Sequence, residues 1–273
     1  MAEHGVMLFT QNYGRIFRHV NKKSYDFNQE VFDTDPRWGI LRELYKRNFV
    51  DNRDSAERMP KKIHQIWLGS PLPEKYLEYI DSWKRFNPEW EHRLWTDGDG
   101  VDMPRRDLFD SIKNPGQKSD FLRYHILNQF GGLYVDTDFE CLKSFDTLSY
   151  SEFLVGVGFP AAPQLFIGLI GSIPNHPITS ALVSSLDRIR GGTWRNIFNT
   201  TGPNFFTSVF FSVVKEYMKG VVVLPPDYFY PFSNKKRRQS NGKDYVEDCS
   251  YAIHYWDVSW HPKKKNRGLD PRR

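Results

Sequence analysis

Apolar residues change their spacing at Met59-Pro60. Up to that point the chain is polar and irregular, apart from a charged helical pattern around WGILRELYKRNF (38–49). Residues 1–59 are therefore expected to form an N-terminal helical appendage. Beyond Pro60, short apolar runs alternate with stripes of helical period. KKIHQIWLGS (61–70) predicts a strand that breaks at Gly69-Ser70-Pro71. EKYLEYIDSWKRF (74–86) follows a proline, sets Tyr76, Ile80 and Trp83 on one helical face, and stops at Asn87-Pro88. EHRLWTD (91–97) predicts a second short strand and RRDLFDSIK (105–113) a second helix.

The next unit is the clearest. Ser119 is read as the N-cap of a helix running to Phe130, with Gly131-Gly132 as its left-handed stop. LYVDTDF then predicts a strand with a fully buried start. After residue 150 the pattern loosens: EFLVGVGF, QLFIGLIG, VVVLPP and SYAIHYWDV read as strands, HPITSALVSSLDRIR and NFFTSVFFSVVKEYM as helices. The chain shows no internal repeat. Strands alternating with helices of this length predict an α/β domain with a mainly parallel sheet covered on both faces. Ligands of such sheets sit at the carboxyl ends of the strands. Trp67 and the Asp136/Asp138 pair both fall at predicted strand ends, which places them on one edge.

Composition adds three constraints. The chain has 273 residues, room for one large α/β domain or two small ones, and is rich in Phe (21), Tyr (14) and Trp (8). Aromatic side chains fill cores and also make platforms for flat or ring-shaped ligands. The formal charge of +5 is concentrated in Lys235, Lys236, Arg237, Arg238 and in Lys263 to Lys265. Such runs form solvated faces or meet phosphate-rich ligands, anionic membrane or nucleic acid. Cys141 and Cys249 are too few and too far apart for a disulfide framework or a zinc site, so free thiols in a reducing compartment are expected. MAEHGVMLFTQ has no apolar run of signal-peptide length, and FFTSVFFSVV (205–214) is too short to span a bilayer. A cytosolic protein is expected, with the Asn199 sequon carrying no weight and residues 263–273 a poorly ordered basic tail.

Asp136 and Asp138 carry the chemistry. An ionised carboxylate near a core is costly unless it is paired or holds a metal, and the run around them supplies no cation. Within a strand, residues i and i+2 face one side, so the two carboxylates are expected to converge on one cation with Thr137 pointing away. Oxygen ligation with open positions suits Mg²⁺ or Mn²⁺. Asp120 and Arg123 lie at i and i+3 on the first turn of the expected helix. They form a helix ion pair, or a helix start that faces the same edge and reaches ligand hydroxyls. Trp67 is a core anchor or a platform for a base. His254 is a structural residue or a third ligand, and an imidazole beside two carboxylates favours Mn²⁺ over Mg²⁺.

Four strings occur in a fixed order: KKIHQIWLGSPLP, SWKRFNPEWEHRLWTD, KSDFLRYHILNQFGGLYVDTDFECLKSFD and AIHYWDVSW. Together they resemble the glycosyltransferases with a DXD motif in the sugar-binding region, the family of the Golgi mannosyltransferases and of capsule and glycan (polysaccharide biosynthesis) enzymes. The large glucosylating toxins are more distant relatives. The resemblance covers roughly 60–260, and its S-D-x-x-R…G-G-x-Y-x-D-x-D string is far more specific than D-x-D alone. It implies a GT-A type fold, a mixed, mainly parallel sheet flanked by helices, over a catalytic domain 60–262. It implies that Trp67 stacks on the donor base and that Ser119, Asp120 and Arg123 hold ribose and donor-sugar hydroxyls, with Tyr134 nearby. Asp136 would touch sugar and metal, Asp138 would ligate the metal directly, and His254, Ser259 and Trp260 would match the family's H…SW pattern of metal or diphosphate contacts. Val258 stands where the family often has glycine, and no N-terminal membrane anchor like that of the Golgi members is expected.

The expected activity is therefore metal-dependent transfer of a hexose or N-acetylhexosamine from a UDP- or GDP-linked donor, with retention of configuration. The acceptor is expected to be a glycan or a lipid-linked hydroxyl, and the basic tail to offer peripheral membrane contact. Two rivals were weighed. A phosphohydrolase of the HAD type also reads apolar strand then D-x-D, but Glu140 stands where a Thr or Val usually follows. A nucleic-acid binder would use the basic runs, yet it leaves the acidic pair unexplained and lacks interleaved aromatic and basic residues.

Overall fold

The computed structural model describes residues 32, 34–51, 56–158, 162–186, 197–238 and 241–257. Ser259, Trp260 and the basic tail 263–273 lie outside the described residues, as does the whole of segment 1–31.

Among the described residues, eight strands and seven α-helices carry the architecture. In chain order they are α1 (Pro36–Tyr45), β1 (Lys62–Ile66), α2 (Leu77–Phe86), β2 (Glu91–Trp95), α3 (Arg106–Ser111) and α4 (Pro115–Phe130). There follow β3 (Gly132–Val135), β4 (Phe139–Cys141), β5 (Phe153–Val157), β6 (Leu165–Ser172) and α5 (Pro177–Ser185). The last are α6 (Ile197–Thr200), α7 (Pro203–Val213), β7 (Val221–Leu224) and β8 (Ala252–His254). Six strands form one sheet in the order β2-β1-β3-β6-β5-β7, and β4 pairs with β8 in a second, two-stranded sheet. β1 is parallel to β2 and β3, β5 is parallel to β7, and β6 alone runs antiparallel to its neighbours β3 and β5. This is the mixed, mainly parallel sheet that the alternation predicts.

β3 is the centre of the design. All four of its residues are buried, as are all of β5 and β7, so these strands read as continuous apolar runs. Gly131 ends α4 with φ +62° and extended ψ, a backbone region open essentially to glycine rather than the left-handed helical stop expected. Gly132 (φ +88°) lets β3 lie against β1, since a Cβ there would stand 2.6 Å from the Lys62 carbonyl oxygen. His64 of β1 bonds through Nε2 to the Gly131 carbonyl oxygen (3.0 Å) and accepts at Nδ1 from Trp95 Nε1 (3.2 Å). One buried imidazole thus ties β2, β1 and the α4–β3 turn together.

Three expectations need correction. The N-cap of α4 is Asn114, whose side chain accepts from Gln117 N (3.1 Å), with Pro115 in the first turn. Ser119 lies inside the helix, and Asp120 and Arg123 are beyond its first turn. Asn-Pro is a start signal here because proline lacks only an N–H that the first turn cannot use. Second, β3 ends at Val135, so Asp136, Thr137 and Asp138 occupy a turn between β3 and β4 rather than a strand. Thr137 is itself buried and lines the same cavity as the aspartates, so it does not point away. Third, where an appendage is expected, α1 joins the main core through Trp38, Leu41, Leu44 and Tyr45. Asn48, just after it, donates to the carbonyls of Met218 and Val221 (2.8 Å each), which fastens this segment to β7.

Candidate active site

The turn after β3 opens into a cavity of about 790 Å³ at the carboxyl ends of β1 and β3. Its wall includes Trp67, Ser119, Asp120, Arg123, Tyr134, Asp136, Asp138 and His254, every described residue singled out from the sequence. The volume lies in the range of small-molecule sites, about 300–1,000 Å³.

Arg123 supplies the missing cation. Its guanidinium is buried between Asp120 Oδ1 (2.9 Å) and Asp136 Oδ1 (3.2 Å), donates to the Ile167 carbonyl (2.7 Å), and lies over the Tyr134 ring at 4.3 Å. The Tyr134 hydroxyl donates to Asp136 Oδ1 (2.6 Å) and lies 3.4 Å from Ser119 Oγ. Asp120 Oδ2 accepts from Thr201 Oγ1 (3.0 Å). The i, i+3 pair on α4 is thus a buried network, where removing one partner strands a charge, and not a solvated helix pair. Burial pushes the Asp120 carboxyl up to about 6 against the opposing charge of Arg123, with Asp136 adding to the rise. Burial also raises Asp136 above the ordinary carboxylate range, and Arg123 again opposes it.

Asp138 has different company. Its Oδ2 accepts from the Asp257 backbone N–H (2.7 Å) and lies 3.2 Å from His254 Nε2, and its carbonyl accepts from Tyr255 N (3.0 Å). His254 reaches this place because β8 pairs with β4, setting His254 opposite Phe139, and their rings stack at 4.4 Å and 9°. Asp136, Asp138 and His254 each offer a ligand atom within 4.8 Å of the others. The other ring nitrogen of His254, Nδ1, is buried without a hydrogen-bond partner. Two carboxylates and an imidazole fit Mn²⁺, and also Mg²⁺ with less preference for the nitrogen.

Trp67 follows β1, half-buried, with its backbone N–H held by the Trp95 carbonyl (2.9 Å), Nε1 on Ser70 Oγ (3.2 Å) and its ring 4.9 Å from that of Tyr76. The remaining surface of the indole borders the cavity.

Other residues bear on the site besides those candidates. Gly168 of β6 is one: its carbonyl accepts from Asp136 N (2.8 Å), and a Cβ there would stand 2.9 Å from Asp136 Oδ2. An isolated glycine in a strand, as in LFIGLIG, is a legible sign of such an approach. Trp256 has φ +59°, rare for a bulky residue, and packs 4.2 Å from His254 between ring centroids. Lys235, from the first basic run, borders the cavity, and Arg237 donates to Asn234 Oδ1 (2.6 Å). Thr201 bears on Asp120 without being legible at all, since only the fold brings residues 81 positions apart together.

Residues 73–154 match the family model described as "Glycosyltransferase sugar-binding region containing DXD motif". "Inositol phosphoceramide mannosyltransferase 2" of Schizosaccharomyces pombe is 28% identical over 217 residues, 74% of this chain and 58% of that protein. An "Uncharacterized glycosyltransferase" of Acanthamoeba polyphaga mimivirus is 28% identical over 224 residues, 76% of this chain and 86% of that protein. The solved "PaToxG Glycosyltransferase" superposes with a TM-score of 0.46 at 20% identity, covering 68% of this chain and 78% of the other. The chain spans 50–64% of the length of three fungal relatives. The resemblance read from the four strings is borne out by the family match over residues 73–154 and by the fungal sequence relatives.

Proposed function

We propose that this chain, a relative of the DXD-motif glycosyltransferases that carries their sugar-binding region, transfers a hexose or N-acetylhexosamine from a nucleotide diphosphate sugar to a hydroxyl acceptor. The observation that carries the reading is the convergence of Asp136, Asp138 and His254, within 4.8 Å of one another, beside the buried Asp120–Arg123 pair in one large cavity. Asp136, Asp138 and His254 would hold a divalent ion, Mn²⁺ before Mg²⁺. When bound, such an ion supplies Lewis-acid stabilisation of the charge on a departing diphosphate.

The protein's own groups do the rest. Trp67 offers a ring face at the cavity edge, suited to stacking on the donor base. Arg123 gives fixed positive charge in a site shielded from water, where it is worth most. Its ion pairs to Asp120 and Asp136 also hold both carboxylates in one orientation. The Tyr134 hydroxyl fixes the Asp136 carboxylate and Ser119 Oγ stands 3.4 Å behind it, so both border the place where sugar hydroxyls would lie. Ser259 and Trp260 are proposed as further donor contacts on the H…SW match alone. Retention of configuration, a UDP- or GDP-linked donor and a glycan or lipid-linked acceptor are parts of the same reading. Fungal relatives are named for mannosyl transfer to inositol phosphoceramide, which makes a mannose-linked donor the first to test.

The test is a thermal-shift screen of UDP- and GDP-sugars with and without Mn²⁺, since a ligand that binds only the folded state raises its melting temperature. One donor is expected to stabilise the protein in Mn²⁺ and to do so far less without it. Stabilisation by no donor, in the presence of either ion, would sink the reading.

A further inference from the structure

We propose that Thr201 is a positioning residue: its hydroxyl, donating to Asp120 Oδ2, holds the Asp120 carboxylate in the orientation that receives the donor sugar. The inference rests on the donor-site reading above and names a residue outside the four family strings.

Asp120 is 6% exposed, yet it borders the cavity. A carboxylate has about four acceptor positions, two on each oxygen. Arg123 Nη2 is the ion-pair partner of Oδ1 at 2.9 Å and Thr201 donates to Oδ2 (3.0 Å), which leaves capacity on both oxygens for hydroxyls of a ligand. Rotation of a carboxylate about its last torsion is broad and weakly resisted. Turning the rigid plane moves both oxygens together, so Arg123 on one oxygen and Thr201 on the other resist the rotation jointly, and Thr201 adds the restraint that comes from outside α4.

Thr201 is a suitable anchor because it is itself immobile. It is wholly buried, its N–H donates to the Ile197 carbonyl (3.0 Å), and its carbonyl accepts from the Tyr124 hydroxyl (2.6 Å). The preceding residue is held too, with Gln117 Nε2 donating to Thr200 Oγ1 (3.1 Å). Residues 117, 120 and 124 are successive positions along α4, so the turn after α6 is bolted to that helix over about two turns. The same α6 places Ile197 and Phe198 in the cavity wall. Thr201 therefore joins the donor-side carboxylate to the wall that closes the cavity at α6.

A threonine that merely staples the turn would affect every ligand alike or none. A threonine that orients Asp120 affects the sugar and spares the nucleotide. Calorimetric titration in Mn²⁺ separates the two, using the nucleotide sugar that most stabilises the wild type and its parent nucleoside diphosphate. Thr201→Val is expected to weaken the nucleotide sugar roughly tenfold or more, as loss of a hydrogen bond to a charged group does, and the nucleoside diphosphate by no more than about twofold. Thr201→Ser, which keeps the hydroxyl, is expected to restore the sugar's share. If the valine variant does not fold, Thr201→Ala is read in its place. Equal losses for both ligands, no loss for either, or a serine variant as weak as the valine variant would overturn the inference. Loss of the sugar's share in Asp120→Asn but not in Thr201→Val would overturn it while leaving the donor site standing. A wild type that binds no nucleotide sugar would remove both.

Discussion

Two aspartates one residue apart have opposite neighbourhoods, and that difference decides what each substitution does. Asp136 faces Arg123 and the Tyr134 hydroxyl, whereas Asp138 receives a backbone N–H from Asp257 and stands beside His254. An asparagine at 138 keeps an oxygen for that N–H and loses only the negative charge. Asp138→Asn is therefore expected to melt near the wild-type temperature without metal, to lose the stabilisation by Mn²⁺, and to turn over donor slower by orders of magnitude. Calorimetric titration of Mn²⁺ checks it, and wild-type affinity would make Asp138 a structural residue only. Gly168 gives a second test at the same scale. A methyl there would meet Asp136 Oδ2 and Phe139 Cε2, each at 2.9 Å, so the carboxylate or the β6 backbone has to move. Misplacing a reacting group by about 1 Å costs on the order of a hundredfold in rate. Gly168→Ala is expected to lose activity on that scale. Donor turnover near the wild-type rate in the folded variant would show that Asp136 tolerates the shift.

At the scale of elements, α4 shows what a chain can and cannot disclose. Its C-terminal end was legible because two adjacent glycines interrupt an apolar pattern. Its start was not, because Asn-Pro followed by glycine reads equally as a turn, and only the fold shows Asn114 capping Gln117. The two readings differ in what an alanine does. Asn114→Ala is expected to lower stability by about 0.5–2 kcal/mol, the usual loss for a cap. Ser119→Ala should cost less, and its effect should fall on donor binding through Tyr134 and Arg123 instead. Chemical denaturation of the two variants decides, and a larger loss at Ser119 would restore it as the cap. The strands β3, β5, β6 and β7 are legible because apolar residues and glycines run on there, whereas β1, with His64 and Gln65 between Ile63 and Ile66, is legible by its break at Gly69-Ser70-Pro71. The D-x-D turn was misread as strand because Thr137 and Phe139 have β-forming side chains that continue the run past Val135. The acidic pair still converges, since a turn can bring i and i+2 together as a pleat does. What stays invisible in sequence is pairing at long range. The bond from Asp257 to Asp138, 119 residues apart, exists only because β8 adds to β4.

For the molecule as a whole, two buried histidines and one half-buried one weigh most in the response to acid. His64, His92 and His176 are each held down to about 4, in every case chiefly by burial. In the unfolded chain each titrates near 6.5, so between pH 6.5 and 4 the unfolded state binds more protons than the folded one. Stability then rises with pH: it is fully present above about 6.5 and lost progressively as the pH falls toward 4. Asp120 works in the other direction. Its folded value of about 6 lies above the unfolded carboxylate's, so its contribution is fully present below about 3.8 and lost as the pH rises through 6. Asp136 is raised by burial as well and works in the same sense as Asp120, but the three depressed histidines outnumber the two carboxyls, and the melting temperature is expected to fall from pH 7 to pH 5. His176 offers a clean check because its role is specific: Nδ1 accepts from Ile178 N (3.1 Å) as the N-cap of α5, which requires the neutral ring, and the ring packs 5.1 Å from that of Phe153. Asparagine can accept the same N–H and does not titrate. His176→Asn should therefore show a smaller drop in melting temperature between pH 7 and pH 5 than the wild type, whatever its stability at pH 7. An undiminished drop would mean that acid acts on the protein elsewhere than at this cap.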